Sequence, residues 1–145
     1  CMVRPFSIYG PGLRKQLFWD IYQKYTENSS SIELWGAGSE SRDFIYIDDV
    51  VQCFDLLLQK ASMQGEVYNV ASGIETSISK AVETFFLKLK ANPKIQFNQK
   101  DRPGDPLNWR ADISKIQQLG FNPGISFENG MAEVARWLIN YDHKN

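Results

Sequence analysis

Apolar and other residues alternate along Met2-Val3-Arg4-Pro5-Phe6-Ser7-Ile8-Tyr9 and the alternation stops at Gly10-Pro11-Gly12, which predicts a short strand entering a turn. From about Leu13 to Glu27, Leu17, Phe18, Ile21, Tyr22 and Tyr25 recur at helical spacing, until Asn28-Ser29-Ser30-Ser31 breaks the pattern. Ile32 to Trp35 predicts a brief strand ending in Gly36-Ala37-Gly38, and Arg42 to Ile47 predicts a second. Asp48 or Asp49 can then cap a helix carrying Val50, Val51, Cys53, Phe54, Leu56, Leu57 and Leu58. That helix is apolar on so many sides that it is expected to be largely buried between layers.

Glu66 to Val70 predicts another strand, and Thr76 or Ser77 can start a helix with Ile78, Val82, Phe85, Phe86 and Leu89 on one face, ended by Pro93. Two prolines and a glycine in Arg102-Pro103-Gly104-Asp105-Pro106 make the stretch from Asn98 to Trp109 a stiff loop. Asp112 can cap a short helix with Ile113, Ile116 and Leu119, and Ser126 can cap a last one. In that last helix Phe127, Met131, Val134, Ala135, Leu138 and Ile139 keep the helical period. Short strands alternating with about five helices define an α/β chain, or an α+β-like fragment. The pieces at about 2–9 and 48–71 read as parts of a larger sheet, so residues 1–145 are expected to be one lobe, a carboxy-terminal piece.

The 145 residues carry 16 basic and 17 acidic side chains, a net charge of −1, so no basic block supplies a general nucleic-acid footprint. A 43% hydrophobic composition without a run of about 18 apolar residues gives no membrane span. Cys1 and Cys53 cannot form a disulfide framework, and His143 is the single histidine, so zinc sites and histidine-based triads are excluded within the chain. No signal peptide is recognisable, and a cytoplasmic protein is expected.

The chemistry is sparse. Gly36-Ala37-Gly38-Ser39-Glu40-Ser41 holds two of the three glycines of a dinucleotide fingerprint, but it lies between two strands and is read as a hairpin-like loop. No tyrosine lies four residues before a lysine, and no serine sits in a nucleophile elbow, so no catalytic set is recognised. Asp48 and Asp49 are explained better by helix capping than by paired-carboxylate catalysis. Arg42, ahead of an apolar strand, and Arg102, in the stiff loop, each offer a fork for phosphate oxygens or one half of an internal ion pair. Asp105, beside an arginine-bound phosphate, could accept both hydroxyls of a ribose.

Arg4 to Gly12, Trp35 to Gly38 and Arg42 to Val50 together resemble the second half of extended short-chain dehydrogenases/reductases, the NAD-dependent sugar-nucleotide epimerases and dehydratases of the UDP-glucose 4-epimerase type. Val67 to Gly73, Arg102 to Pro106, Ala111 to Lys115, Leu119 to Pro123 and the Gly130 to Trp137 helix continue the resemblance in order and spacing. It implies a substrate-binding lobe in which Arg42 and Arg102 contact a diphosphate and Asp105 a ribose. Glu33 and Trp35 align with the base pocket, Gln16 and Leu17 with the helix that approaches the nucleotide, and Tyr9 with the strand end facing the cofactor. A half-exposed strand is the other reading of Glu33 and Trp35, and a core tyrosine that of Tyr9. Ser7 replaces an asparagine that touches the substrate in the family.

The family's NAD fingerprint, its catalytic serine or threonine and its Tyr-x-x-x-Lys pair belong to the first half, so no catalytic residue, no metal site and no NAD bound to this chain alone are expected. In the parent enzyme the resemblance implies that tyrosine removes a hydroxyl proton while hydride passes to NAD, giving a 4-keto intermediate. Its fate as epimer, 4,6-dehydratase product or reduced sugar is left open. The expected ligand is a nucleotide sugar, UDP-linked first, in polysaccharide precursor synthesis. The expected assembly is a homo-oligomer, and a non-catalytic nucleotide-sugar binding or interaction module is the alternative.

Overall fold

The computed structural model describes residues 1–100, 104 and 106–142. The chain runs β1 (Met2–Pro5), β2 (Ser7–Tyr9), α1 (Gln16–Glu27), β3 (Ser31–Leu34), β4 (Ser41–Tyr46), α2 (Ile47–Lys60), β5 (Val67–Val70), β6 (Glu75–Ser77), α3 (Ile78–Leu89), β7 (Lys94–Phe97), α4 (Ser114–Gln117) and α5 (Phe127–Asp142). Among the described residues the strands form three small sheets: β1 with β5, β2-β4-β6, and β3 with β7. All pairs are parallel except β4 with β6. The expected α/β class with five helices is what the structure has.

Strand β4 divides the interior. Side chains along a strand alternate between its faces, and here Phe44 and Tyr46 enter one core with Tyr9, Phe18, Ile21, Phe85, Met131 and Leu138. Ile45, on the other face, joins a second core with Val50, Cys53, Leu57, Val70, Ala71 and Ile116. The first core is packed by α1, α3 and α5, the second by α2, β5 and α4.

Several expectations are corrected. Residues 2–9 are not one strand. At Phe6, whose amide donates to the Val70 carbonyl at 3.0 Å, the segment leaves β5 as neighbour and takes up β4. Strands β6 and β7 were not foreseen, since Glu-Thr-Ser and Lys-Ile-Gln-Phe are too short or too polar to announce themselves. Helix α2 has no side-chain cap; Tyr46 is its N-cap, with Asp48 and Asp49 in the first turn. Asp49, 1% exposed, accepts the amides of Gly124 at 2.8 Å and Ile125 at 3.1 Å and so ties α2 to the entry of α5. Helix α2 also buries only one face: Val50, Cys53 and Leu57 are inside, whereas Val51, Phe54 and Leu58 are 59%, 43% and 76% exposed. Ser77 and Ser126 do cap α3 and α5, accepting from the amides of Lys80 and Asn129. Asp112 accepts the amide of Ser114 at 2.9 Å at the entry of α4.

Helix α5 packs so closely on β2 and β4 that only glycine fits at position 130. A Cβ there would overlap the Tyr9 hydroxyl and stand 2.7 Å from the Tyr46 ring. Gly130→Ala is expected to cost about 1–3 kcal/mol by overpacking, and Tyr9→Phe in the same chain to recover part of it, as read by urea denaturation of the single and double variants.

Burial pushes the Cys53 thiol from 9.0 up to about 11. The unfolded chain therefore releases this proton first, and stability that is intact below pH 9 falls as pH rises toward 11. Wild type should lose roughly 1–2 kcal/mol more than Cys53→Ala between pH 8 and 10.5, measured by denaturant titration at the two pH values. Equal losses would show that the thiol does not contribute.

Candidate functional site

The alternation that splits the core also aims the polar residues. In β2, Ser7 and Tyr9 share a face; in β4, Arg42 and Phe44 share the corresponding one, and β2 pairs β4 with Ser7 opposite Phe44. A cleft of about 750 Å³ opens over this wall, bounded by the first turns of α1, the segment after β3 and α5. Ser7, Gln16, Leu17, Trp35, Glu40 and Arg42 all line it. The structure thus brings together Ser7, Gln16, Leu17, Trp35 and Arg42, which the sequence singled out from four separate segments.

Trp35 stands just past β3 with 49% of its surface exposed, a flat apolar face at the rim of the cleft. Gln16 opens α1 with a left-handed φ of 67°, which is uncommon for a residue with a side chain. Arg42 Nη1 donates to the Ser41 and Pro106 carbonyls, both at 2.7 Å, and so fastens the segment after residue 105 to the wall. The Ser41 amide adds a 2.8 Å bond to the Leu107 carbonyl.

Glu33 is not in the cleft. The burial pattern of β3 turns Ile32 and Leu34 inward and Glu33 out, where its carboxylate accepts from Asn98 Nδ2 at 3.4 Å and its carbonyl from Lys24 Nζ at 2.7 Å. Tyr9 does line the cleft, from a position only 2% exposed, its hydroxyl donating to the Phe127 carbonyl at 3.4 Å. Burial, then Tyr46, Asp49 and Glu128, push its phenol well above the ordinary value, so it stays a protonated core tyrosine. Arg102 and Asp105 lie outside the described residues.

Asp43 faces away from the cleft and is 0% exposed. Its Oδ1 accepts from the Ser72 amide at 2.8 Å and hydroxyl at 2.7 Å, and its Oδ2 from the amides of Gly73 at 3.0 Å and Ala111 at 3.2 Å. One buried carboxylate therefore joins β4 to the loop after β5 and to the approach to α4.

The Gly36 to Ser41 loop is not the expected hairpin, because β3 and β4 lie in different sheets. Within it Glu40 accepts the Ala37 amide through Oε1 and the Gly38 amide through Oε2, both at 2.8 Å. The Ala37 amide holds this carboxyl below its usual range, outweighing burial, with further help from the Glu40 and Gly38 amides and the Arg42 charge. With these amides turned onto Glu40, the loop offers no cradle for a dinucleotide pyrophosphate. Nothing in the sequence pattern marked Glu40; a glycine pair followed two residues later by an acid was the available signal. Among the described residues no group of His, Cys, Asp and Glu is placed to hold a metal, and no helix is long and apolar enough to cross a membrane.

The mixed α/β architecture, with five helices and short strands, matches the C-terminal part of extended Rossmann-like epimerases. The model of the NAD dependent epimerase/dehydratase family matches residues 1–71. The uncharacterized UDP-glucose epimerase YtcB of Bacillus subtilis is 30% identical over 94% of this chain and 43% of its own length. The human dTDP-D-glucose 4,6-dehydratase is 25% identical over 98% of this chain and 41% of its own. Among solved structures, the UDP-glucuronic acid 4-epimerase of Bacillus cereus, crystallised with UDP-glucuronic acid and NAD, superposes with a TM-score of 0.85 at 26% identity, over 96% of this chain and 45% of that one. The chain is a homologue of the NAD-dependent epimerases/dehydratases, aligned with their C-terminal part and spanning less than half the length of these relatives.

Proposed function

We propose that this chain is the nucleotide-sugar-binding lobe of an NAD-dependent sugar-nucleotide epimerase, of the 4-epimerase type and acting on a UDP-sugar. The observation that carries this reading is the convergence of Ser7, Gln16, Leu17, Trp35 and Arg42 on one cleft of about 750 Å³. Trp35 supplies an apolar face on which a base can stack, and Arg42 a guanidinium for the diphosphate, while Arg102 and Asp105 are further candidates that the sequence alone offers. Held by its nucleotide, the sugar is positioned for chemistry done elsewhere. NAD, when bound in the parent protein, would supply the hydride transfer; the glycine fingerprint and the Tyr-x-x-x-Lys pair that would hold and serve it are not in this sequence. Ser7, Gln16 and Arg42 orient the substrate and carry no proton-transfer role. The match to a 4,6-dehydratase supports a second outcome of the same 4-keto chemistry, and the lobe serves both equally.

Titration of the chain with UDP-, dTDP-, GDP- and CDP-sugars, with turnover assayed in parallel, tests this. Binding of one base class without turnover is expected; absence of binding to all four would sink the nucleotide-sugar reading.

The same proposal assigns residues 2–9 and 48–71 to the sheet of the parent protein. Strand β1 is paired along one edge by β5, and Val51, Phe54 and Leu58 present an exposed apolar stripe on α2. At about 25 cal/mol per Å² this stripe favours self-association of the chain alone. Sedimentation is expected to show dimers or larger species that dissociate in Leu58→Glu; a monomer at high concentration would count against it.

A further inference from the structure

We propose that Glu40 is a positioning residue: its carboxylate closes the Trp35 to Gly38 turn and so sets where the Trp35 ring stands relative to the Arg42 guanidinium. For its ligand this rests on the nucleotide-cleft reading above. Trp35 directly follows β3 and Arg42 is the second residue of β4, and because those strands belong to different sheets no ladder between them sets the spacing of the two side chains. Their spacing depends on the shape of the six residues between, alongside the bonds Arg42 Nη1 makes to the Ser41 and Pro106 carbonyls. Both oxygens of Glu40 are engaged there, one by each of two successive amides at 2.8 Å.

The turn is built tightly around that carboxylate. Gly36 and Gly38 take φ of 87° and 82°, and a Cβ on Gly36 would stand 2.6 Å from Glu40 Oε1. A glycine is needed at 36 both for the backbone conformation and for the nearness of the acid. Outside the turn, the Gly38 carbonyl accepts the Ser79 amide at 2.9 Å and the Glu40 carbonyl the Ile78 amide at 2.7 Å, anchoring it on the start of α3. Backbone bonds hold the turn from outside and the carboxylate holds it from within. The Ala37 amide holds that carboxyl below its usual range, which favours the charged form of the clasp.

The test is a double-mutant cycle on the chain, read by UDP affinity and by hydrogen exchange at the amides of Ala37 and Gly38. Glu40→Ala is expected to weaken UDP binding by about tenfold and to speed exchange at both amides, and Glu40→Gln, which keeps one acceptor oxygen, to fall between. In the Arg42→Ala background the Glu40→Ala change should cost less than about threefold, because the guanidinium whose placement it governs is gone. A merely structural Glu40 would cost the same in both backgrounds, and that result overturns the proposal, as does unchanged exchange in Glu40→Ala. If the wild-type chain does not bind UDP, the cleft reading fails separately. The indole N–H resonance of Trp35 then decides: displacement in Glu40→Ala supports the clasp, and an unmoved resonance overturns it.

Discussion

Asp43→Ala is expected to cost the fold at least about 3 kcal/mol, since the three backbone amides and one hydroxyl that converge on this carboxylate lose their acceptor inside the protein, at roughly 1–3 kcal/mol for each buried group left unsatisfied. Asp43→Asn should recover little. Its amide nitrogen would face donors where an oxygen now accepts, so one side of the site becomes repulsive. Chemical denaturation of the three proteins measures this, and a loss under 1 kcal/mol for the alanine variant would mean that water replaces the carboxylate. Because Ser72, Gly73 and Ala111 belong to two different connections, their amides should also exchange faster in Asp43→Ala, well before global unfolding.

Arg42→Ala is expected to weaken binding of UDP or its sugars by roughly 10–100-fold, the range for charge-assisted hydrogen bonds. Arg42→Lys should not restore it. A lysine places one compact charge where the guanidinium spreads donors over a plane, and it would have to serve the Ser41 and Pro106 carbonyls as well as the ligand. Calorimetric titration of the three proteins, with melting curves to separate binding from folding, makes the measurement. Full affinity in Arg42→Ala would reduce this arginine to a tether for the segment after residue 105.

Helices were the most legible elements, because a period of 3.6 over a dozen residues leaves a strong imprint. The faces of α1, α3 and α5 follow directly from Phe18 and Ile21, Val82 and Phe85, and Met131 and Leu138. Helix caps at Ser77 and Ser126 were legible for the same local reason. Asp49 was not: adjacent acids at a helix start look like caps, and only the tertiary fold brings Gly124 and Ile125 to its carboxylate. Strand β6 was silent because Glu75-Thr76-Ser77 has no apolar alternation and exists by pairing with β4.

The cleft was legible in part. Motif order pointed to Ser7, Trp35 and Arg42, and the meeting of Ser7 and Arg42 follows from strand parity in β2 and β4. The same parity turned Glu33 outward, which an alignment of motifs does not reveal. Glu40 escaped notice because its partners are two amides, and backbone groups leave no trace in a sequence until a loop bends them toward a side chain. The half-exposed face of α2 escaped for the opposite reason. Its composition reads as buried, yet among the described residues nothing covers Val51, Phe54 and Leu58.

The division of labour along β4 makes this strand intolerant of insertions or deletions. Arg42 and Asp43 are neighbours with opposite duties, one turned to the open cleft and the other sunk among amides, and what keeps them apart is odd and even position. Adding a single residue between Ser41 and Arg42 would exchange the two, sending a guanidinium toward the Ser72, Gly73 and Ala111 amides and a carboxylate to the cleft wall. Both the pinning of the interior and the character of the cleft would be lost at one stroke. Homologous chains should therefore vary in length outside this strand, as in the loop that precedes it, and keep its six residues in frame.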